Sequence, residues 1–300
     1  FQNGWNATRM KAHGMSMYRP DLLAGKRILI TGGGTGLGKS IGQRYVALGA
    51  DLVICGRRPD VLSQTAQEFK STLGVDIETH VCDVRDAQAV QDMMDAIWAK
   101  APLDVLLNNA AGNFLARTER LSTRAFDAVV DIVLKGSAYC TLDVGRRWIE
   151  AGRPGTVMSI LTQSALTGMP FTVPSAMAKA GALAMIKSLA VEWGPYGIRT
   201  VGVVPGPFPT EGAWSRLMPQ ERIGDAPIEQ GVALRRVGQH HELADLCVYL
   251  ISDSAAFITG EAVIIDGGRM LQGAAGASAY NMQHWPDSTW DSLKPKKNTA

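Results

Sequence analysis

A glycine-rich run between a predicted strand and a predicted helix has the composition of a phosphate-binding loop. It reads Thr-Gly-Gly-Gly-Thr-Gly-Leu-Gly-Lys-Ser over residues 31–40. Gly32 permits a tight turn, Gly36 lets the backbone approach a pyrophosphate, and Gly38 lets the helix pack close to the sheet. The helix start adds free N–H groups and the positive end of a dipole. The order of strand, loop and helix predicts a dinucleotide site, whose loop residues are Gly32, Thr35, Gly36, Leu37 and Gly38.

Two arginines after the second predicted strand indicate which dinucleotide binds. Arg57 and Arg58 stand where a site selective for NAD has an acidic residue against the ribose 2′-hydroxyl. Guanidinium groups suit a 2′-phosphate instead, because Arg57 can pair with phosphate oxygens and Arg58 can stack on adenine. We therefore predict NADP(H) as the cofactor. A solvated arginine pair at a strand end is the alternative.

Lys179 is the third group that could do chemistry. It lies on an alanine-rich, apolar stretch with helical periodicity. An ammonium without a partner would be costly there, so we expect it to meet a ligand diol or a backbone carbonyl.

The elements that must position these groups alternate short β-branched runs with helical patterns. This alternation is typical of repeated βαβ units. It predicts one α/β domain, a Rossmann-like, doubly wound parallel sheet of about seven strands. The predicted strands cover 27–31, 51–55, 77–82, 103–107, 156–160, 198–204 and 262–265, and helices are predicted near 36–48, 59–72, 86–99, 122–150, 174–193 and 241–252.

The chain divides into one domain with an extension at each end. Residues 1–20 form a predicted N-terminal arm, and 21–270 form the nucleotide-binding domain, which no linker interrupts. Residues 205–230 contain several Pro and Gly residues and few strand formers, which predicts a segment capping the substrate site. Residues 271–300 are polar and contain Trp, and are assigned to a C-terminal tail.

Composition excludes several classes of protein and site. There are 30 Lys+Arg against 28 Asp+Glu, a net charge of +2, so nucleic acid has no basic footprint to bind. No window approaches the roughly 18 uninterrupted apolar residues of a membrane span. The four cysteines lack metal-site or disulfide spacing, so we expect no metal and a reducing, cytoplasmic setting. The adjacent His240 and His241 are predicted to be solvated residues of a loop or helix start.

Further motifs, spread over about residues 24–270, resemble those of the short-chain dehydrogenase/reductase superfamily. The resemblance implies an adenine-contacting pair, a turn beside the cofactor and a loop that holds the nicotinamide carboxamide. In that order the matching residues are Asp83 and Val84; Asn109, Ala110, Ala111 and Gly112, preceded by Asn108; and Pro205, Gly206 and Thr210, with the run 265–268 as terminal strand and turn.

The catalytic positions depart from the usual pattern of that superfamily. In most members a Tyr stands four positions before a Lys and exchanges protons with the substrate. Here Ser175 stands four positions before Lys179, while Thr162 takes the place of the usual Ser and Val133 that of the usual Asn. The resemblance implies that Lys179 holds the nicotinamide ribose.

One branch that dispenses with the Tyr, the NADPH-dependent 2,4-dienoyl-CoA reductases, resembles this chain most densely. In that branch NADPH delivers a hydride to the far end of the diene of a CoA thioester, and two side chains hydrogen-bond the thioester oxygen. The positions of those donors hold Lys135 and Ser164, so the resemblance implies a reaction centre of Lys135, Ser164, Thr162, Ser175 and Lys179. The matching runs are 32–39, 108–114, 131–134, 173–176, 178–181, 190–194 and 210–217.

Two other functions remain open at this point. One is a carbonyl reductase or dehydrogenase of unknown substrate, and the other is an NADP(H)-binding oligomeric protein with impaired catalysis. Lys135 could also be a solvated helix residue, and Ser164 an ordinary loop serine.

The assembly is predicted by analogy alone. The helices near 122–150 and 174–193 resemble those that join subunits in this superfamily, which implies a homotetramer. A set of five large side chains could cover such a face or fill an internal core instead. They are Tyr139, Trp148, Met185, Leu189 and Trp193.

Overall fold

A computed structural model describes residues 17–210, 228–272 and 286–292 of the chain. Within them the predicted α/β fold is confirmed as one sheet of seven parallel strands. The β-branched runs form the strands because such side chains pack well on a pleated surface covered on both faces. The strands are β1 (Arg27–Thr31), β2 (Asp51–Gly56), β3 (Glu78–Val81), β4 (Val105–Asn108), β5 (Gly155–Ile160), β6 (Ile198–Pro205) and β7 (Ala262–Ile265).

The strand order places a ligand crevice beyond the ends of β1 and β4. The order is β3-β2-β1-β4-β5-β6-β7, so successive strands run outward from β1 in one direction and then, from β4, in the other. Loops that leave β1 and β4 diverge to opposite sides at such a switch point, and the space between them accepts a ligand. The glycine-rich run follows β1, so the fold places it at this crevice.

Helices cover both faces of the sheet. They are α1 (Gly36–Ala47), α2 (Pro59–Leu73), α3 (Ala87–Lys100), α4 (Thr123–Val130), α5 (Gly136–Glu150), α6 (Ser164–Thr167), α7 (Val173–Trp193), α8 (His240–Ile251), α9 (Arg269–Gln272) and α10 (Asp287–Ser292). Along β1, Ile28 and Ile30 join the core beneath α1, α2 and α8, whereas Leu29 joins the core beneath α3, α5 and α7. This alternation follows from the two-residue period of a strand.

One predicted helix is divided in the structure. The pattern over 122–150 predicts a continuous helix, but a π-helical turn, Asp131–Lys135, separates α4 from α5. A single wider turn shifts the apolar pattern by only one position, so the 3.6-residue period does not reveal it.

The five large side chains offered as an oligomer face belong to the internal core. Trp148, Leu189 and Trp193 are buried within the chain, and Tyr139 and Met185 are partly buried against the same cluster. Trp148 also donates from its indole N–H to the Leu103 carbonyl at 2.6 Å. The core alternative is therefore correct for Trp148, Leu189 and Trp193, and Tyr139 and Met185 lie at the margin of that core.

A close approach in this core gives a stability prediction. A Cβ at Gly145 on α5 would overlap the indole ring of Trp193 on α7. Gly145→Ala is expected to lower the free energy of unfolding by about 1–3 kcal/mol, because neither helix can withdraw without opening the core. Denaturant unfolding followed by circular dichroism measures it. Gly194→Ala is the control, because a Cβ there meets nothing within 4 Å and its φ of −51° suits alanine.

Three predicted segments fall largely outside the described residues. Residues 1–16 of the predicted arm, 211–227 of the predicted capping segment, and 273–285 with 293–300 of the predicted tail are not described. Those assignments stay predictions.

Candidate functional site

The glycine-rich loop presents free backbone N–H groups at the start of α1. Gly32 has a φ of +66°, and a Cβ there would lie 3.0 Å from the Ala110 Cα, so both the turn and the neighbouring backbone require glycine. Thr35 precedes α1, and its side chain caps no N–H group. The first turn of α1 contains no acidic residue. The helix start therefore suits an anion such as a pyrophosphate.

Asn109 ties the end of β4 to this loop. Its Nδ2 donates to the carbonyls of Thr31 at 2.9 Å and Gly32 at 3.2 Å. The backbone N–H groups of Asn109 and Ala110 both donate to Thr31 Oγ1 at 3.0 Å. A Cβ at Gly38 would overlap Asn109 Nδ2, which is why the third glycine is needed. Ala111 and Gly112 continue the turn, so the loops after β1 and β4 form one surface.

Arg57 and Arg58 stand exposed directly after β2. In the described part of the chain neither guanidinium has a hydrogen bond or an ion pair to hold it. Asp60, in the first turn of α2, sits where a helix N-terminus favours an acid. Both arginines are therefore free to reach a phosphate at this end of the crevice.

The adenine pair predicted after β3 has a partner that the sequence did not reveal. The Asp83 carboxylate accepts hydrogen bonds from Arg85, with Nε 2.9 and 3.0 Å from its two oxygens and the backbone N–H at 3.1 Å. These hydrogen bonds lower the pKa of Asp83 below its usual range. Val84 is buried, and a Cβ at Gly136 would lie 2.6 Å from Val84 Cγ2. Arg57 also lowers the pKa of Asp83 by its charge, so Arg85 and Arg57 both lie near this carboxylate.

Lys179 is buried on α7 and donates to the carbonyl of Ile160, the last residue of β5. A backbone carbonyl is one of the two partners predicted for it. Burial penalises the ammonium and lowers the pKa of Lys179 to about 8. Ser175 lies one turn earlier on α7 with its side chain also buried, so the two residues share a helix face.

Two hydroxyls follow β5, whose last residue, Ile160, accepts the hydrogen bond from Lys179. Thr162 Oγ1 and Ser164 Oγ are 2.5 Å apart, and Ser164 begins the short helix α6, which packs against α7. The end of β5 and the first half of α7 thus bring four of the predicted reaction-centre residues to one region: Thr162, Ser164, Ser175 and Lys179.

Lys135, the fifth, is not brought to this region by any contact that the structure records. Its ammonium pairs with Asp131, four residues earlier, at 2.7 Å, and its side chain is half exposed. That hydrogen bond raises the pKa of Lys135. Val133 faces α7 by packing with Ala178, and residues two apart on a helix do not share a face. The assignment of Lys135 to the reaction centre therefore stays a prediction without a supporting contact.

The loop after β6 lies against both the glycine-rich loop and the end of β7. Gly206 donates from its backbone N–H to the Ile265 carbonyl at 2.9 Å, and a Cβ there would lie 2.6 Å from the Asp266 Cα. Pro205 ends β6. Thr210 lies beside Gly36, where the methyl carbon of its side chain would be 3.5 Å from an added Cβ.

Gln163, which the sequence offers beside Ser164 as a hydrogen-bond donor at the reaction centre, makes a positioning contact that no sequence pattern shows. Its side-chain Nε2 donates to Asp266 Oδ2 at 2.5 Å. Asp266 also accepts from the backbone N–H groups of Gly268 and Met270, each at 2.8 Å. The carboxylate therefore joins the turn after β7 to the loop that carries Thr162 and Ser164.

Other kinds of site find little support in the described ranges. No cluster of three or more His, Cys, Asp or Glu side chains there could hold a metal ion. No described helix is both long enough and apolar enough to cross a membrane.

The chain is similar to known proteins across this whole architecture. A family model described as Enoyl-(Acyl carrier protein) reductase matches residues 32–269. The chain is 41% identical to a probable 2,4-dienoyl-CoA reductase 3, (3E)-enoyl-CoA-producing, of Caenorhabditis elegans, over 92% of this chain and 90% of that protein. It is 37% identical to a probable 2,4-dienoyl-CoA reductase, (2E)-enoyl-CoA-producing, of Bacillus subtilis (strain 168), over 82% and 97% of the respective lengths.

A solved structure shares the fold and carries a cofactor. It is a gluconate 5-dehydrogenase from Burkholderia cenocepacia J2315 in complex with NADP and tartrate. The TM-score is 0.76 at 26% identity, over 84% of this chain and 98% of that one. The matched family model, the identity to named relatives and the Rossmann-like sheet show that this chain belongs to the short-chain dehydrogenase/reductase family of oxidoreductases.

Proposed function

We propose that the protein is an NADPH-dependent reductase that transfers a hydride to a 2,4-dienoyl- or enoyl-CoA thioester. The observation that carries this proposal is the region at the end of β5, where a buried ammonium and paired hydroxyls occur without a Tyr at the usual position. Relatives that bear the name 2,4-dienoyl-CoA reductase support the substrate class.

The residues along the crevice fit NADP(H). The uncapped start of α1 suits the pyrophosphate, and Gly32 and Gly38 let the loop after β4 pack closely against it, because a Cβ at either position would press on Asn109 or Ala110. Arg57 and Arg58 suit the 2′-phosphate, since both guanidinium groups are exposed and free. Bound NADPH would supply the hydride. Thr210 and Gly206 would border its nicotinamide end.

Lys179 would hold the nicotinamide ribose. Its ammonium already donates to the Ile160 carbonyl, which fixes the side chain and leaves two N–H donors for ribose hydroxyls. Because the group is desolvated, each further hydrogen bond that it makes relieves part of the cost of burying the charge.

The pair of Thr162 and Ser164 would supply the donor to the thioester oxygen. Two hydroxyls carry two hydrogens, and the 2.5 Å bond between them uses one. The other hydrogen remains available as negative charge develops on the substrate oxygen, where a fixed donor stabilises the transition state. Solvent water supplies the remaining proton, because a serine such as Ser175 is too weak an acid to replace the Tyr.

Purified protein is expected to consume NADPH in the presence of 2,4-hexadienoyl-CoA and not with saturated hexanoyl-CoA. NADPH absorbance follows the rate, and mass spectrometry should show a thioester product heavier by two hydrogen atoms.

Ser164→Ala is expected to lower kcat by about 10-fold or more with little change in NADPH affinity, because it removes the hydroxyl pair and no cofactor contact.

Other outcomes would contradict the proposal. Tight NADPH binding without turnover of any dienoyl or enoyl thioester would indicate a nucleotide-binding protein with impaired catalysis. Turnover of ketones or aldehydes alone would indicate a carbonyl reductase of a different substrate class.

We also propose that the protein is a homotetramer. Its long helices expose apolar side chains that a partner subunit can cover, Leu142 on α5 and Met177 and Val191 on α7. Light scattering on the purified protein measures the assembly, and a monomeric mass at micromolar concentration would contradict it.

We place the protein in the cytoplasm. Cys55, Cys82, Cys140 and Cys247 are free and buried, which suits a reducing compartment. Fractionation of the source cells tests this, and recovery in an organelle fraction would contradict it.

A further inference from the structure

His240 links two parts of the site that belong to distant segments of the chain. It is the first residue of α8, at the predicted helix start, but its ring is partly buried. Its Nδ1 lies 2.7 Å from Ser40 Oγ on α1, and its Nε2 lies 2.6 Å from the Pro209 carbonyl oxygen. One imidazole therefore bridges the phosphate-binding helix and the loop that follows β6.

The partners determine where the protons lie. A carbonyl oxygen can only accept, so Nε2 must carry the hydrogen that it shares with Pro209. In the neutral ring Nδ1 then has no hydrogen and accepts one from Ser40. Ser40 Oγ also lies 3.2 Å from the Gly36 carbonyl, a weaker alternative for its single hydrogen. The hydrogen bond from Nε2 is thus the one that holds the loop.

The bridged loop carries Thr210, which lies beside Gly36 at the start of α1. Pro209 has no N–H group, so its carbonyl is the only backbone hydrogen-bonding group at that residue. Holding this carbonyl fixes the chain one residue before Thr210. The bridge therefore sets the distance between the pyrophosphate end of the site and its nicotinamide end.

We propose that His240 is a positioning residue that holds the 206–210 loop in place for the nicotinamide half of the cofactor. This inference rests on the proposed function, because it takes the ligand of the crevice to be NADP(H). In this proposal the hydrogen bond from Nε2 holds the loop, and the hydrogen bond at Nδ1 only anchors the ring on α1.

The test distinguishes the role of Nε2 from that of Nδ1, and it distinguishes binding of the whole cofactor from binding of its adenosine half. Gln can present its amide N–H near the position of Nε2, whereas Asn can reach only the position of Nδ1. His240→Asn is expected to weaken NADPH binding about 10-fold, the effect of one lost hydrogen bond, and His240→Gln to restore most of it. Binding of 2′,5′-ADP, which has no nicotinamide, should change less than about twofold in either variant. Calorimetry measures both ligands, and His241→Asn, on the exposed neighbour, is the matched control.

Three results would overturn the inference. They are unchanged NADPH affinity in His240→Asn, equal losses for NADPH and 2′,5′-ADP, or equal behaviour of the Gln and Asn variants. Failure of the proposed cofactor is distinguishable, because the wild-type protein would then bind neither NADPH nor 2′,5′-ADP.

Discussion

Replacing Lys179 with Met is expected to stabilise the ligand-free protein at pH 7 and to reduce kcat/KM by about 10²-fold or more. The ammonium is buried, so removing it relieves a desolvation penalty, and unfolding should cost about 1–3 kcal/mol more than in the wild type. The same change would remove the charged donor that we propose for the ribose, and hydrogen bonds of that kind are worth about 1.5–3 kcal/mol. A gain in stability with a loss of activity marks a residue kept for function.

The stability difference should depend on pH in a defined direction. Burial lowers the pKa of Lys179 from 10.5 to about 8 in the folded chain. Below pH 8 both the folded and the unfolded chain carry the proton, so the penalty is fully present. Between pH 8 and 10.5 the unfolded chain binds more protons than the folded one, so the wild-type free energy of unfolding rises. Above pH 10.5 both are neutral and the advantage of the Met variant disappears.

Urea unfolding at pH 7 and pH 10, with NADPH titration at pH 7, measures these effects. Lys187→Met is the control, because Lys187 is exposed on the same helix and should change neither quantity. A less stable Lys179→Met protein, or one with wild-type NADPH affinity, would show that the ammonium has a structural role instead.

Sequence patterns predicted the strands and the glycine-rich loop, because residues close together in the chain mark both. The β-branched runs placed all seven strands to within about two residues, because strand formation here reflects burial on both faces. The glycine spacing predicted the loop after β1, because the glycines lie close together in the chain. The steric limit that each of Gly32 and Gly38 meets is set by Asn109 and Ala110, from the loop after β4, and a local pattern does not show those partners.

The remaining contacts join residues that no pattern relates. His240 and Ser40 are 200 positions apart, and Gln163 and Asp266 are 103 apart. Both pairs meet because the carboxyl ends of parallel strands converge at one edge of the sheet. Lys135 differs from these residues. The resemblance implies that it lies at the reaction centre, but in the structure its ammonium forms a local ion pair with Asp131.

Replacing Arg57 with Asp is expected to lower the preference for NADPH over NADH by about 10²- to 10³-fold. The guanidinium that would pair with the 2′-phosphate is lost, and a carboxylate that repels the phosphate and accepts from a 2′-hydroxyl takes its place. Specificity is a difference of two affinities, so the loss for NADPH and the gain for NADH multiply. Arg57→Gln removes the attraction without adding repulsion and should lie between the wild type and the Asp variant.

Calorimetric titration of each variant with NADPH and NADH gives the ratio directly. Lys187→Glu changes the net charge by the same amount at an exposed position on α7, so it corrects for long-range electrostatics, which salt screens. If Arg57→Asp leaves the ratio unchanged while Arg58→Gln or Arg85→Gln lowers it, the phosphate is held by a neighbouring guanidinium. If none of the three variants changes the ratio, this end of the crevice does not read the 2′-phosphate. NADH and NADPH are chemically identical at the pyrophosphate and at the nicotinamide, so those parts of the crevice cannot distinguish the two cofactors. The protein would then be non-selective.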